Sequence, residues 1–151
     1  MTEIWFYHLE KRALEDALPE LLERTLARGW RALVRVESAD RAQTLDSLLW
    51  TYDEETFLPH AQAGDGDPAM QPILITAEPG NPNGADVLFC VGGTTPEDWN
   101  ANGFSRIVVL FDGRDHAALS GARTAWKTVK EQGHEATYWR QSSQGKWEKQ
   151  A

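Results

Sequence analysis

The stretch that decides the fold is "TEIWFYHLEKRALEDALPELLERTLARGWRALVRV" (residues 2–36). Residues 2–9 are rich in aromatic and β-branched side chains, which favour a strand. Leucines then recur at helical spacing as far as Leu26, and Gly29 is a plausible end for this helix. Residues 31–36 alternate like a second strand. This strand–helix–strand order is typical of the opening of a layered α/β domain.

The rest of the chain continues the same alternation. A second helix follows the second strand, and Ser38 or Asp40 can supply its N-cap. Four further apolar segments have the length and composition of strands: 72–76, 86–91, 106–111 and 135–141. The segment at 106–111 is almost continuously apolar, as central parallel strands tend to be. The pattern therefore predicts a central, mostly parallel sheet with helices on both faces.

Two more helices and one loop complete this interpretation. "TPEDW" opens a short helix, with Thr95 as its N-cap and Pro96 at its first position. A longer helix is expected over 115–133, where Gly133 ends it. Residues 61–71 are rich in Gly, Asp and Pro and are expected to form a loop.

The length of 151 residues favours one domain, and we expect an α/β domain over 1–141 followed by a polar tail over 142–151. No apolar run approaches the ~20 residues that span a bilayer, and the N-terminus does not resemble a signal peptide. The lone cysteine, Cys90, lies in an apolar run and is expected to be a small buried hydrophobe. These features predict a cytoplasmic protein.

The net charge of −8 argues against direct binding of nucleic acid, because a chain that neutralises phosphates is usually basic. The charge is unevenly distributed. Ten Asp and Glu but no Lys or Arg lie between Arg41 and Arg106, whereas six Lys or Arg and three Glu follow from Arg123 onward. A basic C-terminal third on an acidic body predicts a positive patch that an acidic partner would recognise.

No catalytic pattern stands out. The chain has neither an HExxH nor a GxSxG motif, and we expect no metal or cofactor. A metal site at His60 would need the loop to bring Asp65 or Asp67 back to it. One alternative stays open, namely a nucleotide-binding protein or small-molecule α/β enzyme that uses the Gly92-Gly93 turn and Asp112.

One helix face has a composition suited to binding. Arg123, Trp126, Lys127 and Lys130 share a face at i, i+3, i+4 and i+7. The cations can neutralise carboxylates, and Arg can do so through two hydrogen bonds, while Trp126 can wall an apolar pocket. The alternative is that Trp126 belongs to the core and that the cations form a solvated helix face.

Several blocks together resemble the chi subunit of bacterial DNA polymerase III holoenzyme: "FYHL", "LDSLLWTYDEETFLPHAQAG", "PILIT" and "ARTAWKTVK". The resemblance covers nearly the whole chain. It implies a three-layer, Rossmann-like (mononucleotide-binding-like) α/β fold without catalytic activity of its own. It also implies a place in the clamp-loader assembly of the replicative DNA polymerase, with DNA contacted only indirectly and no membrane contact.

The resemblance further implies two partner sites. The acidic, Phe-ended C-terminal tail of single-stranded-DNA-binding protein would bind at Arg123, Trp126, Lys127 and Lys130. A basic position of the family one turn earlier is Leu119 here, so Arg106, Val108 and His116 are further candidates for lining that pocket.

The second implied site receives the psi subunit or a competing helicase. It falls on Trp50, Phe57, Pro59 and His60, with the acidic residues 53–55 as its rim.

Overall fold

The computed structural model describes residues 3–9, 14–51, 61–62, 71–78, 80–96, 99, 103–141 and 147–150. The strands are β1 (Glu3–Leu9), β2 (Ala32–Arg35), β3 (Ala61–Gln62), β4 (Ile73–Thr76), β5 (Val87–Cys90), β6 (Arg106–Asp112), β7 (Glu135–Gln141) and β8 (Trp147–Lys149). The helices are α1 (Leu14–Ala27), α2 (Ala39–Thr51) and α3 (His116–Glu131).

All the strands belong to one sheet with the order β3-β4-β2-β5-β6-β1-β7-β8. Each neighbouring pair is parallel except β7 and β8, which are antiparallel. Connections through α1 and α3 allow this parallel pairing, because a parallel pair needs a crossover. The predicted central, mostly parallel sheet is confirmed.

Helices cover both faces of the sheet, which gives the predicted three layers. We call one side the α1 face, where Leu18 of α1 and Leu45 of α2 pack against the strands, and the other the α3 face, where Val129 of α3 does so. Strand residues alternate between the two cores. The α1 face takes Tyr7, Val34, Phe89 and Val108, and the α3 face takes Phe6, Leu33, Leu88 and Val109.

The strand predicted over 31–36 is confirmed as β2, and every residue of β2 is buried. The reason is that β2 lies between β4 and β5 with helices on both faces. The helix that follows is capped by Ser38, whose Oγ accepts the N–H of Arg41 at 3.1 Å, while Asp40 lies inside α2.

Two strands form where the sequence indicated none. Ala61 and Gln62, expected in a loop, form β3 and pair with β4. In the polar tail, Trp147–Lys149 forms β8 and pairs with β7. The predicted short helix at residues 95–99 stays a prediction, because 97 and 98 lie outside the described residues.

Candidate partner-binding surface

The ends of α3 and its buried stripe determine which of its faces is exposed. Asp115 is the N-cap, and its Oδ1 accepts the N–H of Ala117 at 2.9 Å and of Ala118 at 3.3 Å. After the C-cap at Gln132, Gly133 has a φ of 79°, which a glycine adopts readily. The buried residues of the helix are Ala122, Ala125 and Val129. Small buried side chains let α3 lie close to the sheet.

Trp126 lies at the edge of the core on the α3 face and is half-buried. Its ring makes edge contacts with Phe6, at 5.5 Å between centroids, and with Tyr138, at 5.7 Å. The Nζ of Lys130 lies 5.5 Å from the Trp126 centroid, within cation–π range. Trp126 is therefore part of the core and also contacts a surface cation.

The three predicted cations of α3 are all exposed: Arg123, Lys127 and Lys130. None of them makes an ion pair with any residue of the described ranges. Their charges are thus not neutralised by any carboxylate in the part of the chain that the structure describes. Trp126 and Lys130 are in direct contact, and Arg123 and Lys127 share their helix face.

Of the further residues considered for the tail pocket, two lie on the wrong side of the sheet. Val108 packs into the core of the α1 face. The Arg106 guanidinium stacks on Trp5 of that face at 3.7 Å. Strand alternation is the reason, because on β6 it is Val109 that points to α3.

Leu119, in contrast, lies on α3 itself and packs partly buried against the core of the α3 face. His116 is exposed at the first position of α3. Leu119 lies one turn before Arg123. Helix α3 therefore carries an apolar side chain at the position where the resemblance to the chi family implies a basic one.

The predicted psi or helicase site lies mostly outside the described residues. This applies to Phe57, Pro59 and His60, and to the side chain of Trp50, whose backbone is in the last turn of α2. Since α2 packs on the α1 face, Trp50 belongs to a helix on the opposite side of the sheet from α3.

The Gly92-Gly93 turn follows β5, and both glycines have positive φ, 66° and 81°. The Glu37 carboxylate lies directly over Gly92, where a Cβ would overlap it. A carboxylate in this position repels a phosphate and argues against a phosphate-binding loop here.

Asp112 takes part in the turn before α3. The Oδ1 of Asp112 accepts a hydrogen bond from the backbone N–H of Arg114 at 2.9 Å. It accepts a second one from the Nε–H of the Arg114 side chain at 3.2 Å. The hydrogen bond from the Arg114 backbone lowers the pKa of Asp112 most, with the Arg114 side chain adding to it. A carboxyl with a lowered pKa is a weak general base at neutral pH.

The sequence prediction for Cys90 is confirmed. Cys90 is fully buried. His8 is a core histidine, with Nδ1 2.6 Å from the Tyr138 hydroxyl.

Within the described ranges, no three His, Cys, Asp or Glu side chains are close enough to hold a metal ion. His60, Asp65 and Asp67 lie outside those ranges. No helix in the part of the chain that the structure describes is long and apolar enough to cross a membrane.

Sequence reasoning missed a cleft on the α1 face. Its charged side chains are Arg24, Arg28 and Arg106, beside Trp5 and Trp30. These residues come from three separate segments, so no local motif marks the cleft. The only signal was the closeness of Arg28 and Trp30 at the end of α1.

Comparison with known proteins identifies relatives. The family described as "DNA polymerase III chi subunit, HolC" matches residues 1–137. The "Probable DNA polymerase III subunit chi" of Rickettsia prowazekii (strain Madrid E) is 32% identical over 94 residues, which are 62% of this chain and 57% of that protein. The "DNA polymerase III subunit chi" of Escherichia coli (strain K12) is 33% identical over 63 residues, 42% of this chain and 43% of that protein.

The matched segments thus span about half the length of each of these relatives. The family match, in contrast, extends from β1 into β7 and includes all three helices. The chain therefore belongs to the family of DNA polymerase III chi subunits.

Proposed function

We propose that this protein is a non-catalytic, cytoplasmic accessory subunit of the replicative DNA polymerase. In this role it binds the acidic, Phe-ended C-terminal tail of single-stranded-DNA-binding protein through α3. The single observation that carries the proposal is the group of three unpaired cations around Trp126 on the exposed face of α3. Membership of the chi family supports the setting in a polymerase assembly.

Electrostatics support an acidic ligand at this surface. The whole chain carries a net charge of −8, which repels acidic partners at long range. Beyond a Debye length of about 8 Å at physiological salt this repulsion is largely screened. Close to α3, the attraction of Arg123, Lys127 and Lys130 then dominates.

The aromatic end of the tail would pack between side chains that are only partly buried. Trp126 and Leu119 both pack partly buried against the α3-face core, and each leaves some apolar surface exposed. A phenyl ring that covers such surface gains about 25 cal/mol for each Å² removed from water. Leu119 in place of a cation adds apolar contact and removes a charge.

A second surface would anchor the protein to the polymerase. We propose that Trp50, Phe57, Pro59 and His60 receive a psi subunit or a helicase. Because α2 lies on the α1 face and α3 on the other face, both partners could bind at once. The protein would then link the clamp-loader assembly to coated single-stranded DNA, without contacting DNA itself.

The test is a titration with a peptide that ends in acidic residues and Phe, in which fluorescence anisotropy measures binding. Lys127→Ala is expected to weaken binding about 3- to 10-fold, because a charge-assisted hydrogen bond is lost. The matched control is Arg41→Ala, which removes a partly exposed cation from α2 on the other face of the sheet and should leave the affinity unchanged.

Salt supplies an independent readout of the same site. Binding by the unchanged protein should weaken several-fold as ionic strength rises through the physiological range, since screening reduces the attraction. If the unchanged protein, Lys127→Ala and Trp126→Ala bind the peptide with equal affinity, the tail does not bind at α3.

A further inference from the structure

The cleft on the α1 face is a cavity of about 250 Å³. Its walls come from α1, from the turn that leads into β2, and from strands β1, β5 and β6. The residues that matter for its chemistry are Arg24, Arg28, Arg106, Trp5, Tyr7 and Trp30. We call this cavity the arginine cleft.

The lining of the arginine cleft is opposite in charge to the molecule as a whole. Three of its lining residues are arginines and none is Asp or Glu. The chain, by comparison, has 23 acidic and 15 basic residues. A cluster of like charges in a concave, partly apolar site repels itself and focuses a positive potential. Because Glu3 pairs with Arg106 and Glu20 with Arg24, an anion that enters would chiefly neutralise the charge of Arg28.

Aromatic rings hold two of the guanidinium groups in place. The Cζ of Arg106 lies 3.7 Å from the ring centroid of Trp5 and 5.2 Å from that of Trp30. The Cζ of Arg28 lies 3.9 Å from the Trp30 centroid. A guanidinium stacked on a ring by its flat face keeps its N–H donors at the edge, where they can bind a planar or tetrahedral oxyanion. The donors are therefore oriented before any ligand arrives.

The hydrogen-bonding capacity of these arginines is only partly used. The Nε and Nη2 of Arg106 both donate to Oε2 of Glu3 at 3.2 Å, and the Arg106 side chain is 15% exposed. Its Nη1 has no acceptor in the part of the chain that the structure describes. Arg28 has no carboxylate partner within the described ranges, whereas Arg24 pairs with Glu20 at 2.9 Å.

We propose that the arginine cleft binds a small organic anion, in which a carboxylate or phosphate monoester is joined to an aromatic or apolar body. The anionic group would accept hydrogen bonds from Arg106 and Arg28. The body would lie against the apolar floor that Val87, Phe89 and Val108 contribute. The volume lies just below the lower limit of about 300 Å³ for ligand pockets, so one compact molecule fits better than a polymer.

The experiment follows the indole N–H resonances of Trp5 and Trp30 in nuclear magnetic resonance spectra of the intact protein. Phenyl phosphate and 3-phenylpropionate test the two oxyanions on the same aromatic body, and benzyl alcohol is the uncharged control. We expect one or both anions to shift the two resonances saturably at millimolar concentration, and the stronger of them identifies the preferred oxyanion. The proposal is wrong if neither anion saturates, or if benzyl alcohol binds as well as they do.

Variants separate this site from α3. Arg28→Gln removes an exposed guanidinium and is expected to weaken the better anion about tenfold, as for a lost charge-assisted hydrogen bond. Arg114→Gln is the matched control, because it removes an exposed guanidinium in the turn before α3, and it should leave anion binding unchanged. Unchanged binding in Arg28→Gln would overturn the proposal. Because the cleft and α3 lie on opposite faces, this result does not depend on the tail-peptide titration.

Discussion

At the scale of single residues, aromatic rings join the core of this protein to its surface charges. Trp5 contacts Trp139, with 5.6 Å between centroids, at the edge of the α1-face core and also contacts the Arg106 guanidinium. Trp126 likewise contacts Phe6 on the α3 face and carries Lys130. A tryptophan can do both, since its ring is large and only part of it needs to be buried. The high tryptophan content therefore serves packing and the positioning of cations together.

Gly113 is a residue whose importance comes from one neighbour. Its φ is not positive, but an added Cβ would overlap the Nε2 of His8. The His8 ring is held by the Tyr138 hydroxyl and is buried, so it cannot easily move aside. We expect Gly113→Ala to lower the free energy of unfolding by about 1–3 kcal/mol, as overpacking does.

The matched control for Gly113 is Gly121, which lies in α3 where an added Cβ would enter open space. Gly121→Ala should raise the free energy of unfolding by about 0.5–1 kcal/mol, because alanine is the better helix former. Urea unfolding of both variants measures whether each change lowers or raises the free energy of unfolding. A Gly113→Ala protein as stable as the unchanged one would contradict the packing around His8.

At the scale of elements, β8 changes how the sheet ends. It pairs antiparallel with β7, and Gln150 beyond it donates its N–H to the Tyr138 carbonyl at 2.7 Å. Its Trp147 packs edge-on against Tyr7, with 4.7 Å between centroids. A short strand carrying charged residues is a common way to end a sheet without offering an edge for aggregation. Residues 147–150 are thus hydrogen-bonded to the sheet through β7.

We expect Trp147→Ala to lower the free energy of unfolding by about 2 kcal/mol, since a half-buried ring loses its contacts with the core. Glu148→Ala is the control in the same strand. Its side chain is exposed, so the change should stay within about 0.5 kcal/mol. Chemical denaturation of the two variants decides, and equal stabilities would show that β8 contributes little to the fold.

At the scale of the whole molecule, the sheet separates two chemically different sides. The α3 face carries the surface proposed for the tail, and the α1 face carries α2 and the arginine cleft. On each side a few arginines or lysines lie at the surface of an acidic molecule. Binding at one side leaves the other accessible, which suits a protein that connects partners.

The alkaline limit of stability is a property of the whole fold that depends on the burial of Tyr7. Burial raises its pKa from 10.0 to about 12, although Arg106 and Arg24 act in the opposite direction. Above a pH of about 10 the unfolded chain loses this proton while the native protein keeps it. The free energy of unfolding should therefore fall by up to about 2–3 kcal/mol between pH 10 and 12.

The comparison of Tyr7→Phe with the unchanged protein isolates this effect, because every other titrating group is common to both. Urea unfolding at a series of alkaline pH values should show a shallower loss of stability in Tyr7→Phe. Parallel pH profiles for the two proteins would contradict the assignment to Tyr7.

The sequence alone determined the order of the main elements, because strand composition, helical spacing and end signals such as Gly133 are local properties. It also placed Arg123, Trp126, Lys127 and Lys130 on one helix face, since helical periodicity is local too. Only the tertiary structure decided which sheet face each strand residue joins, and so removed Val108 and Arg106 from the α3 surface.

Tertiary contacts alone likewise made β3 and β8 into strands. Apart from Trp147, their residues have little strand preference, and they become strands by hydrogen bonding to β4 and β7. The arginine cleft has the same origin. Its arginines and tryptophans form no motif in the sequence. They form one binding site only because the fold brings α1, β1 and β6 together.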